Sequence, residues 1–171
     1  PLNRSLSFLR RFWHIAACSA LVGACASPNP TPSPGAQTTG NEFTIGMIIV
    51  GPKNDGGWNQ AHYEGIQEAV KRVSGTKFEY VDKVNPADRP NVTGSQVADD
   101  LIAKGAKMII FNSDDFKDDA LETAKKHPNV PIIHASGDYA WKEGKNFKNQ
   151  PNLGNIMGRM EYGKMMAGCA A

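Results

Sequence analysis

From Phe43 onward, short apolar segments typical of strands alternate with longer segments whose apolar residues recur at the spacing of a helix face. Strands that are separated by helices are joined by right-handed crossovers and pair in parallel. The sequence therefore predicts an α/β fold with a doubly wound parallel sheet of five strands. The predicted strands cover residues 43–50, 78–81, 107–111, 131–135 and 152–155, and the predicted helices cover residues 59–73, 91–104, 117–126 and a segment from about 158.

A glycine-rich polar turn follows the first predicted strand and leads directly into a helix. Ligands of open parallel sheets bind beyond the carboxyl ends of the strands, so this turn stands where a ligand would be met. Trp58 offers a flat apolar face there, and Asp55 and Asn59 offer hydrogen-bonding groups beside it. This combination favours a planar, polar, uncharged ring. A phosphate is disfavoured, because Gly57 and Trp58 stand where a phosphate-binding loop needs Lys and Ser or Thr.

Two further strand ends should lie at the same edge of the sheet. Asn112 and Ser113 follow the third predicted strand, and Asp138 follows the fourth. Three polar turns that converge on one crevice are more informative than any one of them. The candidate ligand-binding residues are Asp55, Trp58, Asn59, Asn112, Ser113 and Asp138.

Most of these residues also have a purely structural interpretation. Trp58 can be a core or helix-start residue, Asn59 can cap the helix, and Asp55 can form an Asx turn. Asn112 and Ser113 can simply begin the next loop. The sequence alone leaves these alternatives open.

Composition and spacing exclude several classes of function. Arg4, Arg10 and Arg11 are the only charged residues before Cys25, and without them 16 basic and 17 acidic residues remain, so we expect no basic surface for nucleic acid. The three cysteines show no metal or redox spacing. No motif of nucleophile and base indicates catalysis, and neither a metal nor a cofactor is expected. Cys169, which lies among Ala and Gly, is expected to be a small core residue.

Residues 1–25 have the pattern of a lipoprotein signal peptide, with a basic segment up to Arg11, a short apolar segment, and a lipobox-like Val-Gly-Ala-Cys at 22–25. Cys25 is the predicted lipidation site, and an ordinary secretory signal is the alternative. The apolar segment is shorter than the ~20 residues that a membrane-spanning helix needs. Residues 26–42 alternate proline with small polar residues and predict a disordered tether, which at about 3.1 Å per residue reaches up to ~50 Å.

Three segments carry a resemblance to a known family. They read Val-Gly-Pro-Lys-Asn-Asp-Gly-Gly-Trp-Asn-Gln-Ala-His at 50–62, Pro-Ile-Ile-His-Ala-Ser-Gly at 131–137, and Asn-Leu-Gly-Asn-Ile-Met-Gly-Arg-Met-Glu-Tyr-Gly at 152–163. On these segments the chain resembles the basic membrane protein family of substrate-binding lipoproteins, which includes purine and purine-nucleoside receptors of bacterial ABC importers. The first segment is the most specific, and with the intervening helices the resemblance covers residues 43–171.

The resemblance implies both a fold and a function. Members of the family have the type I periplasmic-binding-protein fold, in which two lobes close on a ligand, and residues 43–171 would form the first lobe without the C-terminal lobe. The family places an aromatic residue against the purine at the position of Trp58. At Asp138 this chain departs from the family, which often has an aromatic residue there. The resemblance implies a monomeric receptor, lipid-anchored outside the cell membrane, that passes a purine base or nucleoside to an ABC permease and is not an enzyme.

Three alternatives stay open beside this reading. One is an extracellular sensor domain of the same fold, which a downstream transmembrane or kinase segment would favour. Another is an α/β enzyme with an uncommon site, which turnover of a nucleoside would favour. A sugar is an alternative ligand, because binding proteins also stack sugars on tryptophan.

Overall fold

The computed structural model describes residues 42–170 of the chain. The predicted signal peptide with Cys25, and residues 26–41 of the predicted tether, lie outside the described residues. The strands are β1 (Phe43–Ile48), β2 (Thr76–Val81), β3 (Ala106–Phe111), β4 (Ile132–Ala135) and β5 (Leu153–Ile156), and the α-helices are α1 (Trp58–Arg72), α2 (Gly94–Ala103), α3 (Lys117–Lys126) and α4 (Met160–Ala170).

The five strands form one sheet in the order β2-β1-β3-β4-β5, and every pair of neighbours is parallel. Ile48 of β1 pairs with Phe111 of β3, and Phe111 pairs with His134 of β4, so these three strands end at nearly the same level. The predicted α/β fold with a doubly wound parallel sheet is confirmed. Its carboxyl edge is formed by the segments that follow β1, β3 and β4.

Most element boundaries differ from the predicted ones by one to three residues, and two of these differences have a visible cause. β1 stops at Ile48, two residues before the predicted end, and Val50 donates its N–H to the side chain of Asn112 rather than to a neighbouring strand. Helix α2 begins at Gly94 rather than at residue 91, because Thr93 and Gln96 form a capping box. Helix α3 has the predicted bounds.

Helices pack on both faces of the sheet. Side chains that alternate along a strand point to opposite faces, and accordingly Ile109 and Phe111 of β3 pack with α2 and α3 whereas Ile110 packs on the side of α1. Leu101 of α2 and Ala120 of α3 belong to the larger of the two cores. Full burial of one aliphatic side chain contributes about 1.5–3 kcal/mol to the stability of the fold. The larger core, between the sheet and helices α2 and α3, therefore supplies most of the hydrophobic stabilisation.

The sheet face that packs against α1 is covered less completely than the face that packs against α2 and α3. A groove of about 320 Å³ runs beside α1, and Met47, Ile110 and Ile156 of the sheet form its floor. Ile156 is 52% exposed. The groove therefore leaves apolar surface of β3 and β5 open to water.

Helix α4 has no buried residue. Its methionines Met160, Met165 and Met166 are all exposed. Cys169 is exposed as well, so the expectation of a core position for this residue was wrong. Small neighbours in sequence indicated a close-packed helix, but α4 has no packing partner within residues 42–170.

Between residues 42 and 170, the structure contains no helix that is both long and apolar enough to cross a bilayer. The same residues contain no group of three or more His, Cys, Asp or Glu side chains that could hold a metal ion.

Candidate functional site

Trp58 is the first residue of α1 and lies at the carboxyl edge of the sheet. Its indole Nε1–H donates a hydrogen bond of 2.6 Å to the carbonyl oxygen of Asn112, the residue that follows β3. The ring of His62 lies 4.5 Å from the indole, tilted by 53°. Trp58 is still 38% exposed. The indole is thus fixed at its N–H, in contact with His62, and partly open to solvent at the mouth of the sheet.

The side chain of Asp55 is hydrogen-bonded to the first turn of α1. Its carboxylate accepts the backbone N–H groups of Gly57, Asn59 and Gln60 at 2.9–3.1 Å, and the side-chain amide of Asn59 at 2.8 Å. These are N–H groups that a helix leaves unpaired at its first turn. The hydrogen bonds from Gln60 and Gly57, followed by those from Asn59, lower the pKa of Asp55 to about 2. The bond to Gly57 is the Asx turn that the sequence left open as an alternative role.

Asn59 and Asn112 connect the turn after β1 to the end of β3. Both side chains are buried. Asn112 Nδ2 donates to Asn59 Oδ1 at 2.9 Å, and Asn112 Oδ1 accepts the N–H of Val50 at 2.9 Å. Asn59 Oδ1 also accepts the N–H of Gly51 at 3.3 Å. Asn59 therefore bridges two loops and does not act as the helix cap.

Ser113 lies next to this group, and Asp138 belongs to a different cluster. Ser113 Oγ accepts the N–H of Asp115 at 3.3 Å and so begins the short 3-10 turn that precedes α3. Asp138 Oδ2 accepts from Asn146 at 2.6 Å, and its Oδ1 lies 2.9 Å from Lys117 Nζ. The hydrogen bond from Asn146, with Lys117 beside it, lowers the pKa of Asp138. Asp138 thus ties the loop after β4 to α3.

Of the six candidate residues, four form one hydrogen-bonded group. Asp55, Trp58, Asn59 and Asn112 are joined directly, and this group is here called the edge network. Ser113 follows Asn112 directly in the chain, whereas the side chain of Asp138 is bound by Asn146 and Lys117, outside the edge network. The carboxyl edge therefore carries the partly exposed indole of Trp58 on a base of hydrogen-bonded polar side chains.

Two further residues contribute to this edge, and the sequence analysis had not singled them out. His134 of β4 is buried, and its Nε2 donates to the carbonyl oxygen of Ser113 at 2.8 Å. Burial lowers the pKa of His134, which favours the neutral ring, and donation from Nε2 leaves Nδ1 as an acceptor without a partner among residues 42–170. The sequence signal that could have identified His134 is the presence of a histidine within an otherwise apolar strand.

Lys53 is the second of these residues. Its Nζ donates to the hydroxyl of Tyr80 and lies 4.9 Å from the ring centre of Tyr63 and 4.7 Å from that of Tyr80. The hydrogen bond to Tyr80 raises the pKa of Lys53. Sequence could not reveal this cation–π contact, because it depends on β2 lying beside the turn after β1.

A separate cavity of about 410 Å³ opens beside the first turn of α2. Val50, Val84 and Phe116 supply apolar walls, and Asp115 and Asp119 supply carboxylates. None of the six candidate residues lines it. The cavity and the exposed indole are therefore different features of the same edge.

Comparison with proteins of known sequence places these observations in a family. A family model described as ABC transporter substrate-binding protein, PnrA-like, matches residues 43–171. A purine-binding protein of Brucella abortus strain 2308 is 27% identical over 141 residues, which cover 80% of this chain and 36% of that protein. A Haloferax volcanii protein named for glucose binding in an ABC transporter is 23% identical over 137 residues, which cover 80% of this chain and 31% of that protein. The chain thus spans about a third of the length of these relatives.

Solved structures give the same fold. A solute-binding protein of an ABC transporter system from Conexibacter woesei matches with a TM-score of 0.54 at 19% identity, over 67% of this chain and 35% of that one. A fragment of a Peptoclostridium difficile 630 protein described as a lipoprotein matches with a TM-score of 0.54 at 19% identity, over 75% of this chain and 95% of the fragment. Because the family match covers the whole of residues 43–171, the chain belongs to the PnrA-like substrate-binding proteins of ABC transporters, which bind substrates and are not enzymes.

Proposed function

We propose that this chain is the first lobe of a monomeric, lipid-anchored receptor outside the cytoplasmic membrane, which captures a purine base or nucleoside between two lobes and delivers it to an ABC permease. The observation that carries the proposal is the indole of Trp58. It is 38% exposed at the carboxyl edge of a parallel sheet, where open α/β folds meet their ligands. The family match supports the transport role.

A purine suits this surface for a physical reason. Stacking of a base on an aromatic side chain contributes about 1–3 kcal/mol, and it requires a ring with an accessible face. The edge network uses the side chains of Asp55, Asn59 and Asn112 to hold the loops. This lobe therefore contributes mainly a surface on which one face of the ring stacks. The second lobe covers the opposite face of the ring and supplies most polar contacts to its edge.

The Brucella relative supports the choice of ligand, because its name states purine binding. Cys25 and the tether of residues 26–42 supply the anchor in this proposal, since a diacylated cysteine holds a domain at the membrane more firmly than a single acyl chain. The tether lets the receptor reach a permease in the same membrane.

A sugar is the second candidate ligand. The relative from Haloferax volcanii is named for glucose binding, and a sugar ring can lie on the same indole face. Both ligands make the same demand on Trp58, so a ligand panel separates them and a substitution at Trp58 alone does not.

A thermal-shift panel on the complete protein tests the proposal. The probes are adenine, guanine, adenosine, guanosine, inosine, ribose and glucose, and calorimetry then measures the dissociation constant of each hit. We expect the purines to raise the melting temperature and Trp58→Ala to weaken their binding by about 5- to 150-fold, the equivalent of one lost stacking contact. Trp141→Ala is the control, because Trp141 is 56% exposed in the loop after β4 and outside the edge network. Stabilisation by glucose or ribose, and by none of the purines, would show that the ligand is a sugar.

A further inference from the structure

We propose that Asn112 is a positioning residue that sets the plane of the Trp58 indole, so that Trp58 acts as an oriented stacking platform rather than a mobile aromatic side chain. The inference rests on the proposed function for its ligand, and on the edge network for its geometry.

The first step of the argument is the indole hydrogen bond. Trp58 Nε1–H lies 2.6 Å from the carbonyl oxygen of Asn112, 54 residues away in sequence. A half-exposed tryptophan at the start of a helix has several rotamers available to it. One hydrogen bond to the backbone at the end of β3 selects among them, because an indole has a single N–H to donate.

The second step is the rigidity of the acceptor. Asn112 is fully buried, and its N–H donates to the carbonyl oxygen of Ile48 at 3.1 Å, which extends the pairing of β1 and β3 by one residue. Its side chain accepts from Val50 and donates to Asn59 at 2.9 Å each. The residue whose carbonyl holds the indole is therefore hydrogen-bonded to β1, to the turn after β1 and to α1.

The third step is the ring of His62. The Nδ1 of His62 lies 2.8 Å from the carbonyl oxygen of Trp58, one helical turn earlier, and so carries the proton of that hydrogen bond. This bond places the imidazole 4.5 Å from the indole. With the N–H edge held by Asn112 and His62 beside the ring, the orientation of the remaining accessible surface is defined before a ligand arrives. A platform that is already oriented loses less conformational entropy when a ring stacks on it.

The matched variant is Trp58→Phe, which keeps an aromatic ring and removes the N–H. We expect this variant of the complete protein to bind the purine found in the panel about 3- to 10-fold more weakly, the usual value of one net hydrogen bond. Trp141→Phe makes the same change outside the edge network and should bind as the unaltered protein does. Equal affinities for Trp58→Phe and the unaltered protein would overturn the proposal.

Asn112→Ser tests the second partner. It leaves the carbonyl in place and removes the amide that joins Val50 and Asn59. We expect Asn112→Ser to weaken purine binding in the unaltered background and to have little further effect in Trp58→Phe, because the two changes break one chain of contacts. A merely structural role of Asn112 predicts the opposite, namely the same loss of affinity in both backgrounds.

A measurement without ligand keeps the test independent of the proposed function. In ¹⁵N-labelled protein, the Trp58 Nε1–H resonance is identified by its disappearance in Trp58→Phe, and its exchange with water is compared with that of Trp141. We expect slower exchange for Trp58. Equal exchange rates would overturn the proposal even if Asn112→Ser fails to fold. Slow exchange in a protein that binds no purine would instead refute the purine receptor and leave the oriented indole intact.

Discussion

Asp55 shows at the scale of one residue how the candidate site depends on pH. Its carboxylate accepts four hydrogen bonds, and its pKa falls from 3.8 to about 2. A group whose folded-state pKa is depressed stabilises the fold above its unfolded pKa, and this stabilisation disappears as the pH falls through the folded pKa. Asp55 therefore stabilises the start of α1 at neutral pH, and its contribution is lost between pH 3.8 and about 2.

This argument predicts the behaviour of Asp55→Asn. The variant should be less stable than the unaltered protein at pH 7, because an amide nitrogen cannot accept the N–H of Asn59. Its stability should also decrease less on acidification through the same window. Urea unfolding at several pH values measures both effects, and profiles that run parallel throughout would contradict the role assigned to Asp55.

Gly137 makes a steric prediction at the same scale. A Cβ atom at this position would lie 2.1 Å from Nδ1 of His134, whose ring is buried and held by a hydrogen bond to the Ser113 carbonyl. We expect Gly137→Ala to destabilise the protein by about 1–3 kcal/mol, as overpacking of a core does. Gly65→Ala is the control, since nothing lies within 4 Å of a Cβ there, and alanine inside a helix should add about 0.5–1 kcal/mol of stability. Thermal unfolding of both variants measures the difference.

Helix α2 gives the clearest prediction at the scale of elements. Thr93 accepts the N–H of Gln96, and the side chain of Gln96 accepts the N–H of Thr93. Thr93→Ala removes half of this capping box and should cost about 0.5–2 kcal/mol. Chemical denaturation measures the loss of stability, and Thr93→Ser should retain most of the stability that Thr93→Ala loses. No change in Thr93→Ala would show that the packing of α2 fixes its start without the cap.

Most elements were predictable from the sequence, because apolar periodicity reports which side of each segment is buried. Helix α3 was predicted with its observed bounds, since Pro128 limits its end. The start of α2 was predicted three residues too early, although the pattern Thr-x-x-Gln at 93–96 was readable as a capping box. The exposure of Cys169 was not predictable, because a sequence does not state whether a helix has a packing partner.

The position of the candidate site was predictable, and the roles of its polar side chains were not. Parallel strands place their carboxyl ends together, which is enough to bring Trp58 and Asn112 to one edge. The bond from Trp58 Nε1 to the Asn112 carbonyl depends on the register of β1 and β3 and on the first turn of α1. The partners of Asp138 were not predictable either, because Lys117 and Asn146 come close to it only in the folded loop after β4.

At the scale of the whole molecule, the proposed first lobe should by itself be a poor receptor. Trp58 can cover one face of a ring, and the side chains of Asp55, Asn59 and Asn112 already have partners. We therefore expect residues 26–171 alone to bind purines weakly or not at all, whereas the complete protein binds them in the panel described above. Calorimetry on both proteins makes the comparison. Micromolar affinity of the single lobe would show that the second lobe is dispensable.

The groove beside α1 has a consequence for handling residues 42–170 in solution. Apolar surface that stays wet attracts similar surface on other molecules, and Ile156 at the end of β5 is the most accessible aliphatic residue of the groove floor. At high concentration residues 42–170 should therefore associate with further copies through this face, which static light scattering would detect as a rising apparent mass. Ile156→Lys should keep the particles separate, because it introduces a charge without touching the cores on either side of the sheet.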